Sequence, residues 1–224
     1  MSGAVLRQVF DTLHTAFGDQ HWWPANSDYE VMVGAVLTQN TAWRNVERAI
    51  ANLRQADLLQ PAAVMALPAE QLAERIRPAG YFNIKTGRLR NLTAALLDDG
   101  GVDAWRQWET APLRRRLLQV NGVGEETADS ILLYVFQRPA FVVDAYARRI
   151  FTRLGVLGGD ESYGAIADRF HADLPRDSRL FNEYHALIVR LGNAICRPRP
   201  LCPECPLWGD CPVGRASAAQ GFAK

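Results

Sequence analysis

Lysine is nearly missing from this chain: of its 25 lysines and arginines, only Lys85 and Lys224 are lysines. A reaction that needs an amine nucleophile therefore has two side chains to draw on. Cysteine is missing from everything before Cys196, which excludes a disulfide framework holding the bulk of a fold. No apolar run approaches the roughly 20 residues of a membrane-spanning helix. Residues 1–17 carry Arg7, Asp11 and His14 instead of the long apolar core of a secretion signal, so a cytoplasmic protein is expected. Net charge is small, +1 at neutral pH, and strand patterning is confined to the short run Ala140–Val143. Long linkers, low-complexity tracts and repeats are absent too.

What is present is helical periodicity. Val5, Val9, Leu13 and Phe17 open it, followed by Val31, Val36 and Leu37 and then Val46, Ile50 and Leu53. Further apolar patterns cover 61–66, 69–76, 84–98, 103–108, 112–119, 126–136, 145–154, 161–171 and 178–195. Pro61, Pro68, Pro78, Gly100-Gly101, Pro139, Gly158-Gly159 and Pro175 punctuate them. The expectation is an all-α protein of about ten short helices, with 224 residues sufficient for a sizeable core in one or two domains. Basic residues gather at 75–90 (Arg75, Arg77, Lys85, Arg88, Arg90) and at Arg114-Arg115-Arg116, clusters that suit phosphates or simply a solvated face.

Two stretches carry chemistry. In LLQVNGVGEETADS a helix pattern breaks at Asn121-Gly122-Val123-Gly124 and resumes at once. Such a turn brings bare backbone N–H groups to a helix start, where the macrodipole favours an anion. About twenty residues on, Asp144 opens another helix. The second stretch is the tail CRPRPLCPECPLWGDC, with Cys196, Cys202, Cys205 and Cys211 inside sixteen residues. Four thiols so spaced in a reducing compartment argue for metal; the spacing alone leaves zinc and an iron–sulfur cube both open.

Together the glycine turn, Asp144 and the four-cysteine tail resemble the endonuclease III branch of the helix-hairpin-helix DNA glycosylases, over about residues 20 to 211. The resemblance implies a two-domain fold: a six-helix domain at 22–135, and a cluster domain from 1–21 with 136–224, with duplex DNA in the groove between. It implies one structural 4Fe–4S cluster on Cys196, Cys202, Cys205 and Cys211, although the first cysteine spacing is five residues where the family commonly has six. It further implies that the hairpin backbone at Asn121, Gly122, Val123 and Gly124 holds a phosphate. The carbonyls of Leu118, Val120 and Val123 would serve a bridging monovalent cation. Asp144 matches the family's catalytic carboxylate, Gln39 the residue that fills the gap left by an extruded base, and Tyr81 the wedge into the opposite strand. A monomer acting alone on damaged double-stranded DNA is the expected working form.

One position departs from the family's bifunctional members. Where they carry the lysine that attacks the sugar, two residues past the second hairpin glycine, this chain has Glu126. A carboxylate cannot form an imine, so a monofunctional glycosylase using water is expected and strand cleavage through lysine is not. A carboxylate there is useful if the extruded base is cationic, as N-alkylated purines are. Trp22, Trp23, Pro24 and Trp43 supply aromatic surface for stacking on such a base. With GAVLTQNT they resemble the 3-methyladenine DNA glycosylases of this superfamily. Alternatives are a thymine or uracil mismatch glycosylase, whose neutral base gives Glu126 no role, an endonuclease III-type lyase, and a DNA-binding module without catalysis.

Overall fold

The computed structural model describes residues 3–219, and all regular structure among them is helical. Thirteen α-helices follow in order: α1 (Gly3–Phe17), α2 (Asp28–Leu37), α3 (Trp43–Gln55), α4 (Pro61–Ala66), α5 (Ala69–Arg75), α6 (Phe82–Asp98), α7 (Val102–Gln107), α8 (Thr110–Leu118), α9 (Glu125–Tyr134), α10 (Ala145–Arg153), α11 (Tyr163–Asp173), α12 (Ser178–Ala194) and α13 (Pro212–Ala219). They form two compact units, one of Trp23–Arg138 and one of the residues up to Trp22 together with those from Pro139 onward. Residues 136–138 stay with the first unit for a local reason. Phe136 packs edge-on to Trp105, and the Arg138 guanidinium donates to the carbonyls of Arg106 and Trp108.

The unit Trp23–Arg138 is built around α2. Every residue from Tyr29 to Leu37 is buried, so this helix is apolar all round and sits against α3, α6 and α9. Ser27 caps its start, Oγ accepting from the Glu30 N–H at 3.1 Å, and the Glu30 carboxylate accepts from the Asn26 N–H, one residue before the cap, at 3.4 Å. Burying Glu30 would be costly alone, and Arg54 of α3 neutralises it at 2.5 Å.

Lys85 is the lysine that lies inside the described residues; Lys224 lies outside them. Only 1 % exposed, Lys85 places its ammonium against the Leu37 carbonyl at 2.8 Å, the Ala79 carbonyl at 2.8 Å and Thr41 Oγ1 at 2.6 Å. All three N–H donors are thus used in tying the end of α2 to the start of α6. Burial, with a smaller contribution from the Arg88 charge, pushes this lysine down to about 8. Since that lies below the ordinary 10.5, the unfolded chain holds the extra proton between pH 8 and 10.5, and the group's contribution to stability rises with pH across that window. Lys85→Met takes the donor from the Leu37 carbonyl and leaves the Ala79 carbonyl only the Thr41 hydroxyl, at 2.5 Å, and is expected to cost about 3 kcal/mol. Urea unfolding of the variant should show that loss together with a flatter stability profile above pH 8; an unchanged midpoint would contradict the buried tether.

In the second unit an aromatic core does the packing. Phe141 stacks on Phe170 with centroids 3.8 Å apart, and Phe151, Phe181 and Tyr184 close around them edge-on. Each ring fully removed from water contributes about 1.5–3 kcal/mol. Tyr184 satisfies its hydroxyl by donating to the Leu6 carbonyl at 2.7 Å, which pins α12 to α1. The strand-like run Ala140–Val143 pairs with no other strand. It is a buried extended segment whose amides use side chains instead: Phe141 N–H donates to His171 Nε2 at 3.0 Å, and Val143 N–H reaches the Tyr163 hydroxyl at 3.4 Å.

Candidate nucleic-acid interface and cysteine site

Helices α8 and α9 form a hairpin anchored from below by Leu117, Val120 and Val123, all buried. Arg114 locks the pair together through a bidentate bond to the buried Asp129, at 2.7 and 2.9 Å. Several of the turn's N–H groups are already engaged, with Gln119 bonded to Arg115 and Arg116, Val120 to Leu117, and Val123 to Val120. The start of α9 follows directly, and its N-cap Gly124 provides no side-chain cap.

The two glycines are also unalike. Gly122 has φ +94°, and a Cβ there would collide with the Arg88 stem. Gly124 has φ −92°, a value open to any residue, and a Cβ there would meet nothing within 4 Å. Accordingly Gly122→Ala should destabilise the fold by about 1–3 kcal/mol. Gly124→Ala should leave the melting temperature unchanged and weaken DNA binding several-fold. Equal effects of the two on stability would refute the distinction.

Gln39 lies against this turn. Its Nε2 donates to the Gly122 carbonyl at 2.9 Å and to Thr127 Oγ1 at 3.0 Å, while its Oε1 accepts from Arg88 at 2.6 Å. Asn91 adds a bond to the Asn121 carbonyl at 3.1 Å. For Gln39 to fill a gap in a duplex, these bonds must be exchanged for bonds to bases. Tyr81 is placed differently. It is 68 % exposed and held at φ 45°, ψ 31°, a left-handed conformation that strains a residue with a Cβ. Ile84, 57 % exposed one turn later, doubles the apolar tip; its helical periodicity reads as core, and so the sequence did not single it out.

The aromatic residues separate by unit. Trp22 falls in one unit, and Trp23, Pro24 and Trp43 in the other. Trp23 sits edge-on to Trp43 and Tyr134, with centroids 5.0 and 5.1 Å away, and lies so close to α2 that a Cβ on Gly34 would come within 2.7 Å of it. Tyr134 was missed in the sequence because it reads as one more apolar position of α9. Pro24 and Trp43 line an open cleft with Asn26, Glu30, Glu47 and Arg54. Glu126 is exposed in the first turn of α9. Of the basic clusters, much is spent internally: Arg77 on Glu74, Arg90 on the Val64 and Leu67 carbonyls, Arg116 on Asp99.

Asp144 caps α10, its Oδ1 accepting from the Ala147 N–H at 2.7 Å; it is 9 % exposed. Oδ2 faces the buried His185 at 3.6 Å.

Cys196, Cys202, Cys205 and Cys211 are free thiols lining one apolar hollow with Ile195, Pro200 and Trp208. Burial, reinforced by the neighbouring cysteines, pushes the Cys205 thiol up to about 11. Arg153 frames the loop, reaching Cys196 Sγ at 3.2 Å and the carbonyls of Arg197 and Pro198 at 2.6 and 2.9 Å. The described trio of ligating atoms within 4.8 Å of one another is His14, Asp19 and Glu183, not the cysteines. One tetrahedral zinc, with Zn–S near 2.3 Å, would draw four sulfurs to about 3.8 Å of each other.

The model of the HhH-GPD superfamily base excision DNA repair proteins matches residues 33–175, a span that takes in the second half of α2, the hairpin and Asp144. The chain belongs to this superfamily. Among its HhH-GPD relatives, a Methanocaldococcus jannaschii protein provisionally named a DNA repair glycosylase is 46 % identical over 210 residues, 92 % of this chain and 96 % of that one. An endonuclease III in non-covalent complex with DNA superposes with TM-score 0.84 at 24 % identity, covering 98 % of this chain and 99 % of the other, which shows the fold. A 3-methyladenine DNA glycosylase of H. pylori, bound to 1,N6-ethenoadenine, superposes with TM-score 0.73 at 26 % identity over 85 % of this chain and 97 % of its own. This HhH-GPD protein is thus an endonuclease III-like base excision glycosylase, an enzyme that acts on DNA.

Proposed function

We propose that this protein is a monofunctional glycosylase that removes alkylated, cationic purines such as 3-methyladenine from duplex DNA. The observation that carries the reading is the missing amine: Glu126 stands where a lyase needs lysine, and Lys85 is buried with all three N–H groups engaged. The aromatic group of Trp23, Trp43 and Tyr134 adds support, and so does the likeness to a 3-methyladenine glycosylase. In this reading Trp22, Trp23, Pro24 and Trp43 stack the flipped base and Glu126 answers its positive charge. Gln39 and Tyr81 occupy the distorted duplex, and the start of α9 holds a phosphate.

Hydrolysis breaks the bond between the base nitrogen and C1′ of the sugar. The electron pair leaves with the base, which departs neutral. Water forms the new C1′–O bond and gives up a proton, for which Asp144 is the acceptor. The same carboxylate stabilises the positive sugar as the base leaves. The cysteines fit an iron–sulfur cluster: all four line one apolar hollow, and burial pushes the Cys205 thiol up, which a bound cation would offset. A 4Fe–4S cluster held there supplies a crosslink, not a reaction step.

Base release from methylated, mismatched and oxidised duplexes, each with and without alkali, tests the reading. Release of methylated purines, with nicking only after alkali, is expected; nicking without alkali, or release of thymine opposite guanine alone, would overturn it. Glu126→Gln should slow release of cationic 7-methylguanine about tenfold and leave release of neutral ethenoadenine unchanged. Equal slowing of both would remove charge recognition from Glu126.

A further inference from the structure

We infer that His185 is a positioning residue for the reacting carboxylate, a role that rests on reading Asp144 as that carboxylate. The two oxygens of Asp144 are unequal. Oδ1 is tied down as the helix cap, bonded to the Ala147 N–H at 2.7 Å. That bond fixes where the carboxylate sits and leaves its rotation to whatever faces Oδ2. The group facing Oδ2 is His185 Nε2, 3.6 Å away on α12, the helix that packs against α10.

His185 cannot easily swing elsewhere. It is 7 % exposed, and its neighbour Tyr184 is fully buried with its hydroxyl fixed on the Leu6 carbonyl. At 3.6 Å the imidazole orients the carboxylate without forming a full hydrogen bond. Such contacts shorten when charge develops in the transition state. A carboxylate aimed in advance stabilises the positive sugar without reorganising at the moment of reaction, and aiming it is the contribution assigned to His185.

The experiment compares wild type, His185→Leu, His185→Gln and Asp144→Asn as intact protein. Dimethyl-sulfate-treated duplex DNA is the substrate, with single-turnover release and DNA affinity measured separately. Leucine, which cannot donate, should slow release by roughly 10- to 100-fold while affinity stays within about threefold; glutamine, which offers an amide N–H at similar reach, should recover most of the loss. A second readout needs no substrate. The ¹⁵N signal of the His185 imidazole should move in Asp144→Asn, and that of His171 should not. If the leucine variant works at wild-type rate, or if glutamine is as impaired as leucine with both less stable, His185 has no positioning role. If Asp144→Asn keeps full turnover, the reading of Asp144 fails instead, and a ¹⁵N shift seen in that variant would show the two failures to be separate.

Discussion

Asp144→Asn is expected to slow base release by about 10²-fold or more while leaving the fold intact and lesion-DNA affinity within a few-fold. The substitution is informative because the proposed mechanism gives Asp144 two duties. As N-cap of α10 it accepts the Ala147 N–H, and asparagine performs that duty about as well as aspartate. As a carboxylate beside a developing sugar cation it offers a full negative charge, and asparagine offers none. Asparagine therefore subtracts the charge and keeps the cap. Alanine removes both and should lose about 1 kcal/mol of stability besides. Single-turnover release, binding and thermal melting on the two variants separate the duties. Turnover of Asp144→Asn at the wild-type rate would leave Asp144 a helix cap and nothing more.

The same residue shows what can be read from sequence and what cannot. Asp144 stands out in the chain because an acid follows a phosphate-suited turn at a telling distance, and its role as a cap follows from the helix it opens. His185 does not stand out. It lies 41 residues further along, inside an ordinary amphipathic pattern, and only the packing of α12 on α10 brings it to the carboxylate. Tyr134 and Ile84 were hidden in the same way, since periodicity marks a residue as apolar without saying whether it meets core, pocket or solvent.

The hairpin was half legible. Its two glycines mark the turn, but their spacing cannot reveal that Gly122 is required by its own φ and by the Arg88 stem, whereas Gly124 is open on every side. Arg88 likewise reads as part of a basic cluster and proves to be a clamp on Gln39. Helix content was predictable because nearly every element has its own start or stop signal, such as Ser27 before α2, Ser162 before α11 and Asp177 before α12. The run Ala140–Val143 misled because β-branched residues suit any buried extended backbone, and His171 and Tyr163, which satisfy its amides, come from α11.

The second large effect is expected at Cys202. It is the cysteine most removed from water, 6 % exposed, and it begins a short 3-10 turn, Cys202–Glu204, at the floor of the thiol hollow. The loop around it has little else to hold it: short turns, the Arg153 and Arg149 bonds to its first carbonyls, and the packing of α13 beside the 3-10 turn. The proposed cluster, bonded to four thiolates, would replace the hydrophobic core that so small a segment cannot build. Cys202→Ala should therefore abolish the absorbance near ~400 nm expected of an iron–sulfur protein and remove its iron. It should also destabilise the unit by several kcal/mol, because the crosslink that joins the half-buried Cys196, Cys205 and Cys211 would go with the cluster. Iron and zinc analysis of wild type and variant, read beside their melting curves, decides the matter. Zinc in the wild type, or an unaltered spectrum in the variant, would exclude the cluster, while loss of the band with an unchanged melting temperature would show that the cluster is held there without supporting the fold.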